Sequence, residues 1–407
     1  MRIKYTVLGG LYPSKAFLIV MKLQVCPIHR YSAVWLNVYL DSYLRIVDFS
    51  EPVDSGTDSI DISTDKITIA IRLPDNIPRL YGGVLWISDG VLYMLPGDYE
   101  YYWNTADEYG NMINMTVMTT FPDLTNKVWS FDLESQKWDV HVSGVEINSM
   151  HPATGFDTKT QVGWYYGGSL FNTETVTSTG LLDLYRLERG KETPIKVETD
   201  SSLVGGVEKG QLIYIEGPGE AGILVLLQTW TVWWTKSVNH SDFFLANTLL
   251  QTSFQTVHVW DIATKTWFVQ STTAEAWNYP PDSHVARFCS VVASAEDNSS
   301  HNIYLYVGDF GGGIFILTLP AFHWVYVGNP EDPEQPIDSQ CLKVHEKHMV
   351  VYRGYPGKDK CDNDESLKKY QGIAIYDMTS LIWTTKVGLK NQKYLVPEVL
   401  HPIIGGK

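Results

Sequence analysis

Arg79 and Arg287 stand ahead of segments that read as strands, and His240 falls in a stretch crowded with aromatic side chains. A guanidinium or imidazole in such a place can donate to negative charge gathering on a carbonyl oxygen. Around them the chain carries Tyr101, Trp103, Trp230, Trp233, Trp234, Phe243, Trp277 and His284. Flat apolar walls of this kind suit a hydrophobic small molecule, and holding its two reacting ends together lowers a cyclisation barrier without any nucleophile. The chemistry suggested is therefore a cofactor-free ring closure, with Arg287, His240 and Arg79 as donors and the aromatic set as the lining. Each residue also has a plainer role open to it. An Arg can bond neighbouring backbone carbonyls, and the aromatics can pack their loops or form a protein-binding surface.

Other chemistries lack their signatures. There is no P-loop, no dinucleotide-binding glycine fingerprint and no H-E-x-x-H stretch, so no cofactor and no metal is expected. His345 and His348 lie three apart on a predicted strand pair, facing opposite sides, and read as unrelated to metal. A formal net charge of -15 would repel a phosphate backbone, which makes nucleic acid a poor partner.

The elements that must position these residues are short strands. The chain of 407 residues exceeds the size at which a single ordinary core keeps growing, so either several domains or a repeat is expected. Aromatics make up 13%, and 32 Gly and 19 Pro punctuate the chain every few residues, which favours strands and turns over long helices. No apolar run approaches the length of a spanning helix, the best being Ala16 to Met21. That run lacks a convincing cleavage site, so the N-terminus reads as retained and the chain as soluble and intracellular, with secretion left open. The sequons at Asn114, Asn239 and Asn298 are no more than chance supplies. Among four cysteines, Cys341 and Cys361 can pair, or all can be buried free thiols.

A pair of segments recurs. The first alternates apolar residues and ends in Gly: LYMLPG, WYYGG, LIYIEG, IYLYVG and VVYRG, beginning at Leu92, Trp164, Leu212, Ile303 and Val350. The second is an apolar strand, a polar turn and a Trp on the returning strand: VWSFDLESQKW, VHVWDIATKTW, IFILTLPAFHW and IAIYDMTSLIW. An Asp precedes the Trp by six positions in three copies (Asp132, Asp261, Asp377), and Thr318 holds that place before Trp324. Trp267 to Trp324 spans 57 residues and Trp324 to Trp383 spans 59, while Trp138 to Trp267 spans 129, about two units. LLDLYRLERGKETPIKV fills the gap, and VYLDSYL with SIDISTDKIT supplies a first unit.

The expectation is an all-β chain, a single six-bladed propeller with blades near 28–75, 79–142, 160–198, 203–270, 286–328 and 340–388. The Trp residues then fill the space between blades. Long insertions at 98–127, 218–256, 271–285 and 355–370 fall on one face, since second-to-third and blade-to-blade connections emerge together. The site residues above belong to that face.

These motifs resemble fungal kelch-repeat proteins. The resemblance is carried by Arg30 before VYLD, Arg79 before YGGV, Arg287 before FCSVVAS, the SSHNIYLYVG stretch and the tail YLVPEVLHPIIGG from Tyr394 to Gly406. It departs from the family where LPG, IEG, YVG and YRG stand in place of glycine doublets. In outline the chain is similar to the kelch-like hetero-Diels-Alderases of tropolone sesquiterpenoid biosynthesis. That similarity implies a pericyclase joining a tropolone quinone methide to a terpene, and no catalytic motif matches residue by residue. The alternative is a non-catalytic kelch module that grips a protein or glycan through its aromatic face.

Overall fold

The computed structural model describes residues 6–12, 15–30, 33–48, 59–61, 68–74, 77, 80–81, 83–95, 98–99, 126–144, 147, 149, 151–157, 160–172, 177–199, 206–208, 210–227, 230–232, 249–251, 254–275, 279–280, 288–307, 313–328, 339–352, 373–388 and 393–404. Its strands group in chain order into antiparallel four-stranded units; the third and fourth are joined into one eight-stranded sheet by a parallel bridge from Thr154 to Gln211, and Thr273–Ala274 adds a parallel fifth strand to the fifth. The first holds β1 (Thr6–Tyr12), β2 (Lys15–Arg30), β3 (Ala33–Asp48) and β4 (Thr68–Arg72). The second holds β5 (Val84–Ser88), β6 (Val91–Leu95), β7 (Lys127–Asp132) and β8 (Trp138–Val142). The third holds β9 (Ala153–Asp157), β10 (Val162–Tyr166), β11 (Leu184–Leu187) and β12 (Ile195–Val197). The fourth holds β13 (Gln211–Ile215), β14 (Ile223–Leu227), β15 (Thr256–Asp261) and β16 (Thr266–Ser271). Next come β17 (Phe288–Ser294), β18 (His301–Val307), β19 (Gly313–Leu319) and β20 (His323–Gly328). Last are β21 (Gln340–Val344), β22 (His348–Tyr352), β23 (Ile373–Asp377) and β24 (Ile382–Thr384).

The opening strands of successive sheets are neighbours. β13 lies beside β9 and β17, β17 beside β21, and β1 beside both β5 and β21. The sheets therefore stand radially around an axis, and the architecture is a β-propeller. Lys386–Gly388 pairs with Ser59–Asp61, which ties the end of the last sheet to the connection between β3 and β4. No helix among the described residues is long and apolar enough to cross a membrane.

The four Trp hairpins are all present, as β7/β8, β15/β16, β19/β20 and β23/β24. Their common spacing has a local cause. The Oδ1 of Asp132 accepts from the Ser135 N–H at 2.6 Å, that of Asp261 from Ala263 and Thr264 at 2.9 Å, and that of Asp377 from Thr379 and Ser380 at 2.9 and 3.0 Å. Each carboxylate thus closes an Asx turn. The residue four positions on then enters the left-handed region, with φ of 56° at Gln136, 54° at Lys265 and 59° at Leu381. Where Thr318 replaces Asp, its buried Oγ1 makes no hydrogen bond among the described residues, yet Phe322 still turns at φ 49°. The backbone shape survives without the cap because the flanking strands stay paired right up to the turn, with Thr318 opposite His323 and Leu317 opposite Trp324.

Trp two residues after that turn points into the neighbouring sheet. Trp267 stacks edge-on against Tyr166 of β10 at 5.3 Å between centroids, and Trp383 meets Tyr306 of β18 at 5.6 Å. Trp324 packs on Phe254 at 5.6 Å and donates its indole N–H to the Phe254 carbonyl at 3.1 Å. The aromatic side chains of the outer strands are therefore wedges between sheets, as expected. The C-terminal tail adds another. Tyr394, buried, shares a hydrogen bond with the Tyr304 hydroxyl at 2.9 Å and accepts from Asn302 Nδ2 at 3.1 Å.

The repeat misplaces one strand. LIYIEG lies in β13, the opening strand of its sheet, whereas the other glycine-ended segments lie in second strands; ILVLL in β14 supplies the second strand here. The stretch 218–256 therefore contains a core strand, and the excursion is confined to residues 228–255. Two short apolar strands in succession cannot be ranked by pattern alone, since both alternate in the same way. Likewise β1 and β2 precede much of the 28–75 unit, and β9 precedes residue 160.

Two stability measurements follow. Trp324, with no exposed surface, should cost about 3–5 kcal/mol on replacement by Ala, while partly exposed Trp138 should cost about 1–2 kcal/mol, as read from denaturant midpoints. The second concerns His348, whose burial pushes its pKa down to about 4 although Asp377, 3.9 Å away, pulls it up. The folded state thus binds a proton less readily than the unfolded chain, whose histidine titrates near 6.5. Stability is full above about pH 6.5 and falls as pH drops towards 4, by about 1–2 kcal/mol at pH 5. His348→Gln should remove that part of the acid loss in a urea titration repeated from pH 7 to pH 5.

Candidate functional site

Opening strands run edge-on to the propeller axis, so successive side chains point to alternate neighbouring sheets. β17 shows this directly. Cys289 faces β21 and forms a disulfide with Cys341, with a Cα separation of 5.3 Å. Ser290, the next residue, faces the other way and donates to the Gln211 Oε1 of β13 at 2.5 Å. Cys341 therefore pairs with Cys289 rather than with Cys361, which lies outside the described residues. The 52-residue separation hid this partner, because only the closing of adjacent sheets brings both second residues together.

Between β9, β13, β17 and β21 lies an axial cavity of about 620 Å³. Its lining includes residues at the starts of these strands, such as Thr154, Gln211 and Gln340, and residues beyond their ends, such as Glu216, Glu296 and Glu346. It thus runs the length of the opening strands, roughly 16 Å for five residues. Close approach of two backbones shapes one wall. A Cβ on Gly155 would collide with the Leu212 carbonyl, so only glycine fits where β9 meets β13.

The lining is apolar and polar in equal measure, and its charged groups are mostly acidic. Asp157 accepts from the Thr160 N–H at 3.2 Å and from its hydroxyl, and Glu296 is paired with Lys393. Against these carboxylates the cavity carries one lysine, Lys343 of β21. Burial pushes the Lys343 pKa below the ordinary lysine value, and the pull of Glu346 and Asp157 offsets this only in part. Lys343 is partly buried, and its side chain forms no hydrogen bond or ion pair among the described residues.

Arg79, Tyr101, Trp103, Trp233, Trp234, His240, Phe243, Trp277, His284 and Arg287 all lie outside the described residues. Trp230 opens a short strand, Trp230–Val232, which pairs with Gly206–Glu208 and Leu249–Gln251 in the excursion between β14 and β15. Lys343 carried no signal of its own, since a lone lysine in a short strand resembles any solvated edge position. Among the described residues, no group of three or more His, Cys, Asp or Glu is placed to hold a metal ion.

No family model matches the chain. A Kelch repeat-containing protein of Arthroderma benhamiae is 23% identical over an alignment of 418 residues, which takes in 85% of this chain. This chain spans 56% of the length of that relative. A solved structure titled "Structure of YjhT" aligns with a TM-score of 0.43 at 12% identity, over 79% of this chain and 87% of that one.

The disulfide clamps two walls of the cavity. Its removal by Cys289→Ser with Cys341→Ser should lower stability by about 2–4 kcal/mol. Matched denaturation curves for the wild type, oxidised and after reduction, and for the double variant check this; the reduced wild type and the variant should coincide.

Proposed function

We propose that this chain is a kelch-like propeller of six blades that takes up a small molecule on its axis. The observation that carries this reading is the unfilled cavity of about 620 Å³ between four opening strands, a size suited to a ligand of drug-like dimensions. The aromatic excursions 98–127 and 228–255 connect second to third strands, so in a meander of alternating direction both leave from the same end of their sheets. A hydrophobic ligand held at that end would have its polar part in the acidic cavity and its apolar part against Trp and Tyr.

The reaction class favoured by that composition is cofactor-free cyclisation, with binding geometry supplying most of the acceleration. A pericyclase of the hetero-Diels-Alderase kind is the finer form of this proposal, supported by loop composition and by the resemblance of the repeats. A non-catalytic module that grips a protein or glycan through the aromatic excursions is the second reading.

The test pairs two classes of variant. Ser290→Phe, which projects a ring from β17 towards Gln211, should weaken small-molecule affinity by about tenfold or more while the melting temperature stays within a few degrees. Trp103→Ala, Trp233→Ala and Trp234→Ala should abolish turnover or affinity with equally little effect on melting. Calorimetric titration with hydrophobic unsaturated compounds and product analysis by mass spectrometry provide the readouts. Affinity untouched by Ser290→Phe would remove the axial site.

A further inference from the structure

Among the described residues, the lysines near carboxylates are mostly paired with them: Lys347 with Asp377 at 2.7 Å, Lys196 with Asp183 at 2.9 Å, and Lys393 with Glu296. Lys343 differs on three counts. It lines the axial cavity, it has no hydrogen-bonding or ion-pairing partner among the described residues, and its position on β21 is two residues beyond the disulfide that holds that strand to β17. Side chains two apart share a face of a strand, so the clamp at Cys341 also sets the direction from which Lys343 enters. Its electrostatic neighbours are Glu346, in the turn after β21, and Asp157, at the end of β9 in a different sheet.

Two roles are open to such an amine. It can hold an anion, or it can react with a carbonyl. The charges of the described lining decide between them: Asp157, Glu216 and Glu346, together with Glu296 in its pair with Lys393, face any anion that enters, and among the described residues of the lining Lys343 is the one cation. A neutral carbonyl compound meets no such barrier.

We propose that Lys343 is a carbonyl-capturing amine, which binds an aldehyde or ketone ligand in the axial cavity as a reversible imine. This rests on the reading of the cavity as a small-molecule site and names the functional group that the site recognises. In the step, the ammonium first gives a proton to Asp157, Glu346 or solvent. The freed Nζ lone pair forms a C–N bond to the carbonyl carbon while the C=O π pair moves to oxygen, which takes up a proton. Loss of water then leaves the C=N bond, and re-addition of water releases the ligand. No oxidant or reductant takes part. Burial favours the step because it lowers the cost of reaching the neutral amine at neutral pH, as in other desolvated nucleophilic lysines.

The experiment uses the full chain with cinnamaldehyde as the carbonyl probe and cyanoborohydride to trap any imine at pH 7, with the labelled lysines identified by peptide mass spectrometry. Lys343 should label about tenfold faster than exposed Lys137 and Lys265, because the cavity holds the aldehyde beside its amine. Lys343→Arg, which keeps the charge, should lose the fast-labelled site with melting unchanged. Ser290→Phe should slow the labelling of Lys343 and of no exposed lysine. Labelling of Lys343 no faster than that of Lys137 and Lys265 overturns the imine, even where calorimetry with Ser290→Phe upholds an axial ligand. Fast labelling that Ser290→Phe leaves unchanged locates the amine's reactivity outside the cavity and overturns both.

Discussion

A four-stranded sheet with apolar residues on both faces cannot bury itself, and among the described residues the later sheets solve that problem by borrowing a wall from the sheet before. The bridging groups are aromatic. Trp267 reaches Tyr166 of the preceding sheet, Trp383 reaches Tyr306, and Trp324 reaches Phe254 with an indole hydrogen bond to its backbone. Because each wedge serves two sheets, no sheet is a separate folding unit in the energetic sense, and the tail joins the scheme by inserting Tyr394 against Tyr304. The pairing of Lys386–Gly388 with Ser59–Asp61 extends this mutual dependence from the last sheet to the N-terminal part of the chain.

Radial packing of that kind has a consequence at the axis. Opening strands cannot converge to a point, since their backbones and side chains need room, and the space left over is the cavity of about 620 Å³. Its walls are held by specific contacts across neighbouring strands: a disulfide between Cys289 and Cys341, a hydrogen bond from Ser290 to Gln211, and a glycine at position 155 that admits the Leu212 carbonyl. A preformed cavity with fixed walls loses little entropy when a ligand enters, which is the physical basis for regarding it as a binding site.

The charges of the structure separate into two kinds. Asp377 is satisfied: burial raises its pKa, but a hydrogen bond from Lys347 and the N–H groups of Ser380 and Thr379 hold it below the usual carboxylate range. It belongs to the scaffold. Lys343 is the contrasting case, a cation brought into the cavity with carboxylates in electrostatic range and none in contact. That arrangement is what the proposed carbonyl-capturing role draws on.

The Trp hairpins were legible in the sequence because their cause is local: an Asp that closes an Asx turn, a left-handed residue four positions later, and a Trp at the sixth, all within one stretch of chain. The all-β class followed from the same repeats. What the residues could not declare was anything set by the closing of the ring. LIYIEG alternates like a second strand and serves as a first, Cys341 lies nearer to Cys361 along the chain yet bonds Cys289, and Lys343 shows no distinguishing pattern until the opening strands surround it. Hairpins depend on contacts a few residues apart, which spacing records; the cavity depends on strands as far apart in sequence as Thr154 and Glu346 meeting around one axis, and only the folded chain determines which side chains then share it.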